Sequence, residues 1–388
     1  MMQICLEQGL TQPAVFELVV HALPPESNFL VAAGLEQALD FLKNLSFSET
    51  ECTWLRDRGG FSPQMLDHAR TLRFDGDIDA IPEGTIFFAE EPILRLTAPW
   101  PMAQLVECRL LNLIHFETVV ASRAARLVMA ARGRTLLDFG LRSAHGSEAE
   151  MLAARAAYLA GFEGTATVDA ARRFGIPVFS TLSLGSGAID PASLVSLAGA
   201  LPERSALLAD TGNVATQPRN LVEGAQALNR AGLKLAGVQI EGLDLANRAR
   251  AVRTLLDAAG FAKMPICASV DLDETSVEAL TSDAAPIDEF GLREWLTNED
   301  DAMRIDACYV MRQVASPDAS HPVIDAARTG FEWMAPQEGP VEHAALLRPF
   351  MRNGQRVGRP QTLLGSREYH ARQIARYLNP FAPFNSQR

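Results

Sequence analysis

Cysteine is scarce in this chain and follows no pattern. Cys5, Cys52, Cys108, Cys267 and Cys308 are scattered, and no CxxC spacing occurs. That argues against a zinc site or a disulfide framework. Isolated cysteines of this kind are expected to be small buried hydrophobes. Long apolar runs are missing too: no stretch reaches the roughly 20 residues a membrane-spanning helix needs. The opening, Met-Met-Gln-Ile-Cys-Leu-Glu-Gln, has no basic segment leading into an apolar one, so no secretory leader is expected. Positive charge is in deficit, with 35 Lys and Arg against 47 Asp and Glu and a net charge of -12. A generic nucleic-acid or anionic-membrane surface needs a positive field and is excluded; a local basic pocket is not. No Walker A sequence occurs, Gly185-Ser186-Gly187 lacks the rest of a dinucleotide fingerprint, and the histidines show no HExxH spacing. A cytoplasmic, enzyme-like protein with a small-molecule substrate is the expectation.

What is present suits a globular α/β protein. The 388 residues are enough for two domains, and 48% hydrophobic with 21% charged is an ordinary balance. Residues 1–130 mix short strands and helices and predict an N-terminal α/β domain. Ala14–Ala22 reads as a strand, Phe29–Leu42 as a helix, Asp77–Pro99 as an antiparallel section and Met102–Ala131 as a long helix. Strand and helix then alternate. Predicted strands start at Thr135, Gly164, Pro177, Ala206, Leu235, Pro265, Ile287 and Ala307. About eight such strands predict an irregular α/β barrel over 131–318. Residues 319–388 read as a tail packing back on the first domain.

In a parallel barrel, ligands bind at the C-terminal ends of the strands. Those ends offer Asp138, Arg142 and His145; Thr165 and Thr167; Thr181; Asp210 and Thr211; Gln239, Glu241 and Asp244; Ser269, Asp271 and Asp273; and Asp288 and Arg293. Carboxylates and hydroxyls suit a ribose-like polyol or a hydrated magnesium ion. An arginine fork suits a carboxylate or a phosphate. The expected catalytic carboxylates are Asp210, Glu241 and Asp271. The expected substrate-binding residues are Arg142, His145, Thr165, Thr181, Thr211 and Arg293. No protein-bound metal site is expected.

Several segments, in order over about residues 14–292, resemble nicotinate phosphoribosyltransferases. They include Phe29-Leu30-Val31-Ala32-Ala33-Gly34-Leu35-Glu36-Gln37, Ile81-Pro82-Glu83-Gly84-Thr85, Asp138-Phe139-Gly140-Leu141-Arg142-Ser143-Ala144-His145-Gly146, Ala154-Arg155-Ala156-Ala157-Tyr158 and Ala284-Ala285-Pro286-Ile287-Asp288-Glu289-Phe290-Gly291. The resemblance implies a type II phosphoribosyltransferase fold, an N-terminal α/β domain packed on an irregular barrel. It also implies assembly as a homodimer, or as a heteromer with a related chain. The implied reaction joins nicotinate to phosphoribosyl pyrophosphate with magnesium and, in many members, ATP.

The chain departs from the family at several motifs. The family's opening TDLYQLTM-like segment has no counterpart. Phe179-Ser180-Thr181-Leu182-Ser183 lacks the histidine that is phosphorylated in ATP-coupled members, which argues against ATP coupling. The VDTYDT motif becomes Ala209-Asp210-Thr211-Gly212-Asn213-Val214, and RLDSGD becomes Gln239-Ile240-Glu241-Gly242-Leu243-Asp244. The FGVGT phosphate loop becomes Phe290-Gly291-Leu292-Arg293-Glu294-Trp295, where bulk replaces the backbone access that glycine gives. Three functions stay open at this point. One is phosphoribosyl transfer to a pyridine carboxylate or related ring. Another is a non-catalytic relative that binds a metabolite or a partner subunit. The third is a recruited enzyme with new glycosyl chemistry.

Overall fold

The computed structural model describes residues 2–24, 27–182, 195, 205–208, 218–232, 237–270, 272–293, 305–314, 324–325 and 346–378; at 180–182, 205–208, 218–221, 270, 324–325 and 378 only the backbone is described. The first stretch holds α1 (Met2–Glu7), β1 (Pro13–Val20), β2 (Leu30–Val31), α2 (Leu35–Lys43), α3 (Glu49–Asp57), α4 (Pro63–Thr71), β3 (Asp77–Ala80), β4 (Ile86–Phe87), β5 (Pro92–Pro99) and α5 (Trp100–Ala131). The middle holds β6 (Thr135–Asp138), α6 (Ser147–Ala160), β7 (Gly164–Thr165), α7 (Val168–Phe174), β8 (Ser180–Leu182), β9 (Ser205–Leu208), α8 (Pro218–Arg230), β10 (Val238–Ile240), α9 (Leu245–Ala258), β11 (Ile266–Val270), α10 (Glu274–Ser282) and β12 (Glu289–Leu292). The last stretch holds β13 (Ala307–Val314), β14 (Ile324–Asp325), β15 (Arg348–Arg352), β16 (Gln355–Arg356) and α11 (Leu363–Leu378). The chain forms two compact units. One joins Met1–Val119 to Asp300–Arg388, and the other is Val120–Glu299.

The first unit is built on an antiparallel sheet in the order β14-β13-β1-β5-β3-β15-β16. On β5, Leu94, Leu96 and Ala98 are buried while Arg95 and Thr97 point the other way, the period-two pattern of a half-buried strand. Glu17 on β1 lies between two cations on its flanking strands, 2.7 Å from Arg95 and 2.8 Å from Arg312. Phe16 stacks on Tyr309 with ring centroids 4.7 Å apart. These pairs explain one correction. Ala307–Arg312 is not a barrel strand; it is part of β13, which runs antiparallel to β1. A short apolar run looks the same in sequence whichever sheet takes it, and here the partners of Tyr309 and Arg312 select β1.

Phe29–Leu42 is also not one helix. Leu30–Val31 pairs with β4, and α2 starts only at Leu35. Gly34 breaks the segment: it sits at φ 90°, its N–H donates to Glu83 at 2.9 Å, and a Cβ there would meet the Leu113 carbonyl oxygen at 2.7 Å. Helical spacing of apolar residues cannot reveal a left-handed residue inside the pattern.

In the second unit all the strand pairings are parallel, in the order β7-β6-β12-β11-β10-β9-β8. The two ends of that order are joined. Val178, just before β8, bridges Thr165 on β7. The Thr165 N–H donates to the Pro177 carbonyl at 3.0 Å, and the Phe179 N–H donates to the Thr165 carbonyl at 2.9 Å. The seven described strands therefore close into a barrel in chain order, each beside the next. The α/β barrel expected from the alternating pattern is what forms. Among the described residues, a helix follows each of β6, β7, β9, β10 and β11 and returns the chain to the same end, so short strands are enough there.

Candidate functional site

The C-terminal ends of β6, β7, β10, β11 and β12 bring two side-chain groups together, with the loop after β6 between them. Side chains two residues apart on a strand share a face. Gln239 and Glu241, at the end of β10, are such a pair: Gln239 Nε2 donates to Glu241 Oε1 at 3.1 Å. Arg293, just past β12, forms an ion pair with Glu241, and its Nε donates to Ser269 Oγ at 3.2 Å. This group gathers acid, amide, hydroxyl and guanidinium at one end of the sheet.

The second group lies where α6 covers the sheet. Asp138 ends β6 and is 1% exposed. Its Oδ1 accepts from the Gly140 N–H at 3.0 Å and its Oδ2 from Thr165 Oγ1 at 2.5 Å. Glu150, in the first turn of α6, is fully buried and accepts from Thr167 Oγ1 at 3.0 Å. Burial, reinforced by the Asp138 charge, pushes the Glu150 carboxyl up to about 9. Burial raises Asp138 as well. Two carboxyls this close cannot both ionise at neutral pH. The Asp138 oxygens accept from both a hydroxyl and an amide, which favours the charged form on Asp138 over Glu150.

The loop between the groups is short and tied at both ends. Gly140–Arg142 forms a single 3-10 turn, and the Ser143 hydroxyl donates to the Arg293 carbonyl at 2.8 Å. Arg142 and His145 project from this loop and are exposed. Among the described residues Arg142 makes no ion pair or hydrogen bond. A guanidinium with five donors, held on a fixed turn, is a ready receptor for a planar anion.

The residues expected from sequence thus fall into four sets. Glu241 and Arg293 meet directly. Arg142 and His145 are exposed on the loop. Thr165 is fully buried, with its hydroxyl spent on Asp138 and its oxygen accepting from the Thr167 N–H at 2.9 Å, so it supports the site rather than facing it. Asp210, Thr211 and Asp271 lie outside the described residues, as does the side chain of Thr181. Among the other strand-end candidates, Asp273 caps α10 through the Ser276 N–H at 2.8 Å. Asp244 precedes α9 but binds the Asn247 side chain instead of capping. Asp288 belongs to the opposite end of the sheet, where it accepts from the Ile266 N–H at 2.9 Å. A cavity of about 300 Å³ lies at that opposite end, lined by residues including Thr135, Lys263, Asp288 and Glu289; it is remote from the loop of Arg142. Glu150 was missed in the sequence reading. It stands three, four and seven residues from buried Ala153, Ala154 and Ala157, so an acid on the apolar stripe of α6 was the available signal.

Comparison with known proteins matches the chain to a family. Residues 1–115 match the model of the nicotinate phosphoribosyltransferase N-terminal domain. A nicotinate phosphoribosyltransferase of Mycobacterium tuberculosis is 35% identical over 395 residues, covering 96% of this chain and 84% of the relative. The chain belongs to the nicotinate phosphoribosyltransferase family. A second family member, from Bacillus subtilis, is 33% identical over 299 residues, covering 76% of this chain and 61% of that protein. The crystal structure of human nicotinic acid phosphoribosyltransferase superposes with a TM-score of 0.75 at 22% identity, covering 96% of this chain and 92% of the human one, and so shares the fold. Within the described residues β10 and β12, barrel strands that carry altered motifs, keep their places in the parallel order.

Proposed function

We propose that this protein transfers a phosphoribosyl group to a pyridine carboxylate, nicotinate or a close analogue, in pyridine-nucleotide salvage. The observation that carries the reading is Arg142: an exposed guanidinium without a protein partner among the described residues, on a turn fixed from both sides. In the proposed reaction Arg142 grips the ring carboxylate through two parallel hydrogen bonds. The ring nitrogen's lone pair attacks ribose C1. The C1–O bond to pyrophosphate breaks, and pyrophosphate leaves with the bonding electrons. Positive charge builds on the ribose in between, and a carboxylate nearby lowers that barrier. Glu241 is assigned this role with Asp210 and Asp271, while His145, Thr181 and Thr211 are assigned to substrate contacts.

Among the described residues no group of three or more His, Cys, Asp or Glu is placed to hold a metal ion. Magnesium enters the proposal only as the companion of pyrophosphate oxygens, and no step is routed through it. The proposal includes no ATP coupling, because Phe179-Ser180-Thr181-Leu182 offers no histidine. The donor's phosphates meet a changed surface, since the guanidinium of Arg293 is committed to Glu241 and Ser269. That commitment favours weak donor affinity in the isolated chain, and it is also what a non-catalytic, metabolite-binding relative would show.

An assembly partner, a second copy or a related chain, is part of the proposal. Leu141, Val168 and Leu243 are 50%, 66% and 87% exposed, and each follows the C-terminal end of a barrel strand. Such side chains favour cover by another surface. No helix among the described residues is long and apolar enough to cross a membrane, and the five cysteines are free, which supports a reducing, cytoplasmic setting. Calorimetry with nicotinate and nicotinamide tests the reading. Binding of nicotinate that Arg142→Ala weakens by about tenfold or more supports it; equal binding of the two ligands removes it.

A further inference from the structure

We propose that Glu150 is a positioning residue: through a hydrogen bond from its neutral carboxyl to Asp138, it sets the turn that carries Arg142 and His145. The inference rests on the proposed role of Arg142 for its effect on ligand binding, but its structural part stands apart from that role.

An acid in the first turn of a helix ordinarily stays at the surface, where it meets the helix dipole in water. Glu148 does so, whereas Glu150 is fully buried. A buried carboxyl needs a partner for each oxygen. Oε1 has the Thr167 hydroxyl. Oε2 is buried and accepts from no donor among the described residues, so the structure is completed if this oxygen holds a proton and donates it. Its direction is fixed by Gly140. A Cβ built on Gly140 would lie 2.8 Å from Glu150 Oε2 and 3.1 Å from Asp138 Oδ1. The two oxygens therefore converge over the same backbone atom, and only glycine leaves them room.

The rest of the ring is closed. Asp138 Oδ1 takes the Gly140 N–H, Asp138 Oδ2 takes the Thr165 hydroxyl, Thr165 Oγ1 takes the Thr167 N–H, and the Thr167 hydroxyl returns to Glu150. All four side chains are at most 4% exposed. They come from β6, α6, β7 and the residue before α7, so the ring ties four elements to the first residue of the Gly140–Arg142 turn. Without the Glu150 proton, two charges would face each other beside the Gly140 amide. Asp138 would turn from one of its donors, and the turn would lose its anchor on this side.

The experiment compares wild type, Glu150→Gln and Glu150→Ala by amide hydrogen exchange and by nicotinate titration at neutral pH. Glutamine keeps both contacts, donating to Asp138 and accepting from Thr167. It is expected to preserve exchange at Gly140, Ser143 and Ala144 and to hold nicotinate Kd within about twofold. Alanine is expected to speed exchange of those amides about tenfold or more, to leave β10 and β11 amides unchanged, and to weaken nicotinate about tenfold. If Glu150→Ala does not fold, Thr167→Val takes its place, since it removes the hydroxyl that holds Oε1. Unchanged loop exchange in the alanine or valine variant would overturn the proposal. So would a glutamine variant as impaired as alanine, because the donated hydrogen bond would then be irrelevant. If wild type binds no nicotinate, the functional reading falls, and the exchange measurements still decide the positioning role.

Discussion

Replacing Glu150 by Gln should change how stability depends on pH, in a direction the burial of this residue dictates. The Glu150 carboxyl has an ordinary value of 4.5 and is pushed up to about 9 in the fold, by burial first and the Asp138 charge second. Between those values the unfolded chain has lost the proton and the folded chain keeps it. Stability contributed by this group is therefore complete below about 4.5, falls as pH rises, and levels off above about 9. One proton of difference corresponds to about 1.4 kcal/mol per pH unit, so wild type should lose roughly 2–3 kcal/mol between about pH 6 and pH 8 relative to Glu150→Gln. Asp138 is shifted in the same direction, but it is present in both proteins, and most of its contribution cancels in the difference. Urea unfolding of both proteins at several pH values gives the curves. Parallel curves across this window, or a wild type that gains on the variant as pH rises, would refute the assignment of the proton to Glu150.

Arg142→Ala should weaken nicotinate by roughly 10- to 150-fold, the worth of a lost charge-assisted pair at about 1.5–3 kcal/mol, read by calorimetry. Gly34→Ala should destabilise the first unit by about 2–4 kcal/mol, read by thermal unfolding, because φ 90° and a Cβ at 2.7 Å from the Leu113 carbonyl are both unfavourable. Glu17→Ala should cost about 1–2 kcal/mol in urea unfolding: it leaves Arg95 and Arg312 facing each other, and both are exposed enough for water to screen part of the loss. Ser269→Ala should release one tie on Arg293 and change phosphoribosyl pyrophosphate affinity while leaving nicotinate affinity within about twofold, read by paired titrations.

Much of the barrel could be read from the sequence because its strands are short apolar runs that end in polar or glycine-rich segments, and helices fill the gaps. The Asp138–Gly146 loop was equally legible, since its residues resemble the family's own. Partner choice was not legible. β13 carries the same local signal as a barrel strand, and its pairing shows only in distant partners such as Phe16 and Glu17 on β1. The break at Gly34 was hidden because periodicity describes side chains and the break lies in the backbone. At the site, the sequence supplied Asp138, Glu241 and Arg293 by position along the strands. It did not supply the Glu241–Arg293 pairing, which depends on how β10 and β12 lie on either side of β11, and it did not mark Glu150, which accepts from Thr167 beyond β7. Thr165 shows the reverse case: a hydroxyl at a strand end looked like a ligand contact, but the adjacent β6 carboxylate takes it first.

The most direct test of the proposed chemistry is product formation. Purified protein is incubated with nicotinate, magnesium and millimolar phosphoribosyl pyrophosphate, and nicotinate mononucleotide and pyrophosphate are followed by mass spectrometry. The proposal predicts equal amounts of the two products, slow turnover, a high KM for the donor, and loss of turnover at limiting nicotinate in Arg142→Ala. Nicotinate that binds without any nucleotide formed, at saturating donor, would contradict it and leave a ligand-binding relative of the enzymes.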